Sequence, residues 1–296
     1  MTKMRRIAYG LSPSMAIFGE LAAVEIGERL RQSGCDGVFM HSPTPAWCEA
    51  LHSVGLQVYA ALGIFSGKGL WERFPKARPI KANGEPVSRV EWYEPVIPIL
   101  PDLRAQRLQA LEALIQAASL DGVWLDAIRW PSFWEHQPPL MYETSFDPLT
   151  LSQFQEDMNV SLPLREETEA GEAAWILTHA ADAWHTWRCR QVETFITEAK
   201  ACLQQHCPTA LLGIFTVPWT EADFDGTRQE ASAEPNVHPV IGQDLTLLAP
   251  HVDVISPMVY HRMCERPPTW VGNVTTWVKD RAQDSNGETY VWPIVE

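Results

Sequence analysis

DGVWLDAIRWP, residues 121–131, is the stretch whose reading decides the fold. Asp121–Ile128 reads as a strand, and side chains alternate across a strand. If Val123 and Leu125 face a helical layer, Trp124 and Asp126 face the other way. The run is almost wholly apolar, as strands are when both faces of a sheet are covered. A carboxylate on such a strand is costly unless it is paired or does chemistry.

Runs of the same kind recur on both sides of it. Arg6–Gly10, Gly37–His41 and Leu56–Phe65 precede it; Leu211–Val217, Val252–Tyr260 and Tyr290–Val295 follow. Helical patterns fall between them, over Glu20–Gln32, Pro45–Val54, Leu103–Ser119, Trp187–Gln205, Asp244–Ala249 and Trp270–Ala282. The strongest, Trp187–Gln205, sets Val192, Phe195, Ile196, Ala199, Cys202 and Leu203 on one face and is stopped by Pro208. Strands alternating with helices imply βαβ units and a parallel sheet. Seven such units favour a (β/α)8 TIM-type barrel over a doubly wound sheet. The first strand runs into Gly10-Leu11-Ser12-Pro13, which is not a dinucleotide fingerprint. No eighth unit follows, so the expected fold is an α/β barrel incomplete after the seventh strand. An unclosed barrel exposes two edges, and the expectation is that the chain is a fragment of a longer barrel. It reads as a single domain, 1–296.

Two connections are too long for simple loops, at about 66–101 and 131–184. Each follows the C-terminal end of a strand, the active-site face of a barrel, so each is a candidate wall or lid. Asn83-Gly84 in the first, between Pro79-Ile80-Lys81 and Pro86-Val87, signals a hairpin. The second carries Trp134, Glu135, His136, Tyr142 and a helix near Leu149–Met158; the first also holds Trp71, Glu91, Trp92, Tyr93 and Glu94.

Apolar residues make up 46 % of the chain, enough for a full core, which excludes wholesale disorder. The net charge of −14 argues against nucleic acid or an anionic membrane surface as a partner. No apolar run is long enough to span a membrane, and the first twenty residues lack a signal-peptide core. The six cysteines form neither C-x-x-C nor a zinc spacing and read as core residues or free thiols. Thirteen tryptophans suit either core packing or a groove in which flat rings meet sugar faces.

H-E-x-x-H, H-x-H and G-x-S-x-G are absent, and Gly63–Gly69 fails the phosphate-loop spacing. That leaves Asp126, projecting inward at a strand's C-terminal end. Arg129 is its expected partner and would keep it ionised. An ionised, oriented carboxylate can act as nucleophile, base or stabiliser of an oxocarbenium-like centre.

DGVWLDAIRWP also resembles the strand-four signature D-G-[apolar]-x-[LF]-D-x-[IV]-R-[YWF]-P of a set of TIM-barrel glycoside hydrolases, distantly similar to the α-amylase and α-galactosidase groups. Leu212–Trp219, Val252–Tyr260 with His261, and Val291–Val295 resemble the fifth, sixth and seventh strands of that family. The resemblance covers most of the chain and lacks the closing unit. It implies hydrolysis of O-glycosidic bonds in an oligo- or polysaccharide, with Asp126 as a catalytic carboxylate.

Such chemistry generally uses two carboxylates. Glu296, inward if Trp292 and Ile294 are, is the expected second. Glu221, Asp223 and Asp225 after the fifth strand are alternatives, and Glu91, Glu94 and Glu135 on the long connections rank behind them. Arg129, Tyr260 and His261 are expected in support, with Trp130, Trp219 and His41 binding sugar. The reading calls for no metal and no organic cofactor. Two rivals differ from it in kind: a carbohydrate-binding barrel without catalysis, and a metal-dependent hydrolase using His41, Asp126 and His261.

Overall fold

The computed structural model describes residues 5–12, 15, 19, 21–90, 93–135, 143–163, 171–220, 237–283 and 289–296. Seven strands form one sheet in chain order: β1 (Ile7–Leu11), β2 (Gly37–Met40), β3 (Gln57–Gly63), β4 (Gly122–Asp126), β5 (Leu211–Thr216), β6 (Val254–Pro257) and β7 (Tyr290–Val291). Every neighbouring pair is parallel. Helices α1 (Ala23–Gln32), α2 (Pro45–Ser53), α3 (Leu70–Arg73), α4 (Pro101–Ala117), α5 (Pro148–Met158), α6 (Gly171–His179), α7 (Ala181–His206), α8 (Val237–Val240), α9 (Leu245–Leu248) and α10 (Thr269–Gln283) lie between the strands. This is an α/β barrel of seven strands. Among the described residues β1 and β7 do not pair, so it is open along that seam.

The sheet is rolled, because side chains from distant strands meet inside it. The Trp124 ring on β4 lies 4.8 Å from Phe39 on β2 and stacks 5.5 Å from Trp292 beyond β7. Tyr59 on β3 reaches Trp292 as well, at 5.8 Å. Val123 and Leu125 are buried on the opposite face, as the alternation requires. Trp124 Nε1 donates to Ser256 Oγ at 3.0 Å, which satisfies the one polar atom of a fully buried indole.

Three aspartates fix the start of alternate strands. Asp36, Asp121 and Asp253 each stand just before or at the foot of β2, β4 and β6. Each accepts the backbone N–H that opens the preceding strand: Arg6 at 3.2 Å, Val58 at 2.8 Å and Leu212 at 2.7 Å. Each also meets a basic side chain: Arg31, His52 and Lys200 respectively. Asp121→Ala leaves the Val58 N–H without its partner and is expected to cost about 1–2 kcal/mol, read as a lower urea midpoint at unchanged m-value.

The strand ends differ from the sequence expectation for local reasons. β4 stops at Asp126 rather than Ile128, because Ala127 turns the chain with φ +48°. β6 ends at Pro257, which has no N–H to extend a ladder. β7 pairs only over Tyr290–Val291, and beyond Pro293 the contact is reduced to a single Met258–Ile294 bridge. Helix α7 is longer than expected, starting at Ala181.

The two long connections dock on each other. Asn83-Gly84 makes the expected hairpin: Lys81 N–H donates to Glu85 O at 2.8 Å, and Ile80 bridges Pro86. Lys81 then bridges Thr144 of the second connection, and Ser145 and Phe146 donate to Ile80 O. Glu94 anchors the first connection. It is 1 % exposed, meets Arg89 at 2.6 Å and accepts from the N–H groups that open α3, Trp71 among them at 3.3 Å. Burial works against its charge, but these donors and Arg89 outweigh it and hold the carboxyl below its ordinary range. A depressed carboxylate stabilises the fold above its unfolded pKa, and that contribution is lost as pH falls through the folded value. Glu94→Gln should therefore flatten the loss of stability between pH 5 and pH 3 in a denaturant series.

The second connection is tied to α7 by buried charge. Glu143 meets His185 at 2.8 Å, and Arg188 donates to Thr144 O. The Arg188 guanidinium lies 4.3 Å from the Trp130 ring, and burial pulls it down to about 10. The six cysteines are free thiols, as the spacing suggested.

Candidate active site

Asp126 ends β4 at the mouth of the barrel, half-buried. Its Oδ1 accepts the Ala127 N–H at 2.7 Å, which fixes the carboxylate across the turn. Positive φ at a non-glycine residue costs free energy, and such residues concentrate at functional sites. The turn is held on all sides. Ile64 and Phe65 donate to Asp126 O and Ala127 O, Arg129 N–H returns to Ala127 O, and Trp130 N–H reaches Ile241 O. Gln243, fully buried, joins the ends of β4 and β5 by donating to Ile128 O and Phe215 O while accepting from Val217 N–H.

The expected Asp126–Arg129 ion pair is not formed. The turn at Ala127 swings Arg129 away, and its Nε donates instead to Ser132 Oγ at 3.0 Å. Arg129 is 5 % exposed, and its Nη1 is buried without a hydrogen-bond partner among the described residues. The expected tryptophan platforms need the same correction. Trp130 and Trp219 are buried, Trp130 Nε1 donating to Arg188 O and Trp219 Nε1 to Trp134 O. Their apolar bulk was better used in packing than at the surface.

Tyrosines stand at the mouth instead. Tyr9, in the middle of β1, is 43 % exposed, and Tyr260 follows β6 on the same side. Burial and the Asp126 charge push the Tyr9 hydroxyl up to about 12, with Glu135 adding to the effect. Burial raises Tyr260 further, and the charges of Tyr9, Asp126 and Glu135 act in the same direction. Tyr93 is raised by burial, with Arg129 opposing and Asp126 and Glu135 adding. Tyr260 stacks on Trp134 at 5.9 Å, and Tyr93 meets Phe133 edge-on at 5.1 Å. Sequence reasoning placed Tyr93 on a candidate wall but missed Tyr9, which alternates inward on β1; that parity was the available signal.

Glu296 lies at the β7 end, where its Oε1 accepts from Arg262 and Met263 N–H. It braces the loop after β6. His261 Nδ1 is 4.0 Å from it, and His41 is exposed, 6.5 Å from the Tyr9 ring. Among the described residues no group of three or more His, Cys, Asp or Glu is placed to hold a metal ion, so His41, Asp126 and His261 do not form one. Glu91, Trp92, His136, Tyr142, Glu221, Asp223 and Asp225 lie outside the described residues. A cavity of about 600 Å³ opens at the other end of the sheet, beside His52 and His206, and holds none of these groups. No described helix is long and apolar enough to cross a membrane.

No family model and no curated protein matches the chain. Solved structures do. The glycoside hydrolase domain of PgaB (BpsB) from Bordetella bronchiseptica superposes with TM-score 0.66 at 14 % identity, over 95 % of this chain and 82 % of that one. The beta-galactosidase of Marinomonas ef1 gives 0.64 at 13 % identity, over 97 % and 47 %. That of Bacillus circulans sp. alkalophilus gives 0.59 at 10 %, over 94 % and 43 %. The chain thus spans less than half the length of the two beta-galactosidases. At these identities the likeness establishes a shared fold: the structural neighbours are glycoside hydrolases with a TIM-like barrel.

Proposed function

We propose that the chain is a glycoside hydrolase that cleaves O-glycosidic bonds at the barrel mouth, with Asp126 as the nucleophile or base. The observation that carries this reading is the placement of Asp126. It ends an inward-facing strand position, is oriented by the Ala127 N–H, and is left unpaired by Arg129 in a fold whose neighbours are glycoside hydrolases. A carboxylate with no cationic partner among the described residues, beside raised tyrosine hydroxyls, suits a site that must present one negative charge to a developing oxocarbenium centre. Tyr9 and Tyr260 offer hydroxyls and ring edges to a sugar. Arg129 acts behind the site as a positioning residue, holding Ser132. Glu296 supports the loop that carries His261.

The test is a panel of 4-nitrophenyl glycosides, the β-galactoside included, incubated with the purified chain. Release of nitrophenol from at least one, saturable and abolished in Asp126→Asn, is expected. Saccharide binding that survives Asp126→Asn without any hydrolysis would favour the non-catalytic binding module.

A further inference from the structure

We infer that Glu135 is the second catalytic carboxylate, the proton donor to the leaving oxygen opposite Asp126. This rests on the glycosidase reading and deepens it. The three residues before Glu135 are each pinned to the mouth. Ser132 receives Arg129 Nε at 3.0 Å, and Phe133 packs on Tyr93 at 5.1 Å. The Trp134 ring stacks on Tyr260 at 5.9 Å, and its carbonyl accepts Trp219 Nε1 at 3.2 Å. Trp134 is 2 % exposed while Glu135 is exposed, so the chain seats the indole under Tyr260 and presents the next side chain to solvent at the same rim.

Asp126 at the end of β4 and Glu135 beside the Trp134–Tyr260 stack then belong to the same mouth. The Tyr9 and Tyr260 hydroxyls feel the charges of both carboxylates. Tyr93, on the other long connection, feels both too. In the reaction the glycosidic C–O bond breaks with its electron pair going to the leaving oxygen, which takes the Glu135 proton. Water supplies the hydroxyl on the anomeric carbon, and its other proton ends on a carboxylate of the pair.

The experiment compares wild type, Glu135→Gln and Asp126→Asn on one sugar carried by two leaving groups, 2,4-dinitrophenol and the poorer 4-nitrophenol. Glu135 is exposed and its replacement conservative, and circular dichroism checks that each variant is folded. Loss of a proton donor should leave the dinitrophenyl glycoside within a few fold of wild type. It should slow the 4-nitrophenyl glycoside by about 10²-fold or more and remove the alkaline limb of the pH–rate profile. A Glu135→Gln enzyme with wild-type rates and an intact alkaline limb, beside an inactive Asp126→Asn, overturns the Glu135 assignment and leaves the glycosidase reading standing. The leaving-group pattern appearing in Glu296→Gln instead overturns it too. A wild type that hydrolyses neither leaving group from any sugar of the panel overturns the glycosidase reading itself, and the assignment with it.

Discussion

Asp126→Asn is expected to lower glycoside hydrolysis by on the order of 10³-fold while leaving the fold intact. The amide keeps the size of the carboxyl and can still accept the Ala127 N–H through its oxygen, so the turn at the end of β4 survives. No ion pair with Arg129 is lost, because none is present among the described residues. What disappears is the negative charge at the mouth. A structural aspartate in a closed salt bridge would behave in the opposite way. Its removal would strand a buried cation and cost several kcal/mol, with little specific effect on rate. Measuring kcat/KM and the thermal midpoint on the same preparation separates the two. The loss of charge should also show spectroscopically: in Asp126→Asn the Tyr9 hydroxyl, held up by burial and next by Asp126, should ionise at lower pH, visible by absorbance near 295 nm.

The largest stability effect is expected at Gly213. It sits on β5 in register with Trp124, on the inward face. A Cβ there would lie 2.1 Å from an atom of the Trp124 indole. The indole cannot give way easily: Phe39 holds it edge-on at 4.8 Å, Trp292 stacks on it at 5.5 Å and Ser256 holds its N–H. Gly213→Ala should therefore cost about 3 kcal/mol, well beyond an ordinary surface change, and appear as a lower urea midpoint. Shrinking the neighbour should recover part of it. Trp124→Phe is destabilising alone, but in the Gly213→Ala background it should cost less, giving a favourable coupling in a double-mutant cycle. Additive effects would mean that the indole is not packed against the β5 backbone.

Much of the architecture was legible because it depends on local patterns. Seven apolar runs became seven parallel strands in sequence order, and the alternation in Val123–Asp126 assigned faces that the structure keeps. The Asn83-Gly84 hairpin was equally local. What could not be read were features set by contacts distant in sequence. The bend at Ala127 is stabilised by Phe65, Ile64 and the turn to Arg129, and it redirected the Arg129 side chain. Trp130 and Trp219 were expected to bind sugar because each stands at the end of a strand. Their burial depends on Arg188 and Trp134, which lie 58 and 85 residues away. Glu135 had no motif of its own. Its place at the mouth comes from Trp134, whose partners Tyr260 and Trp219 belong to other units of the barrel.

The measurement that tests the central claim most directly is proton NMR of the anomeric region during incubation of one oligosaccharide or aryl glycoside with wild type and with Asp126→Asn, side by side. The account predicts new reducing-end anomeric signals that grow with time in the wild type and are absent with the variant over the same period. Equal growth in both, or none in the wild type with any glycoside of the panel, would contradict it.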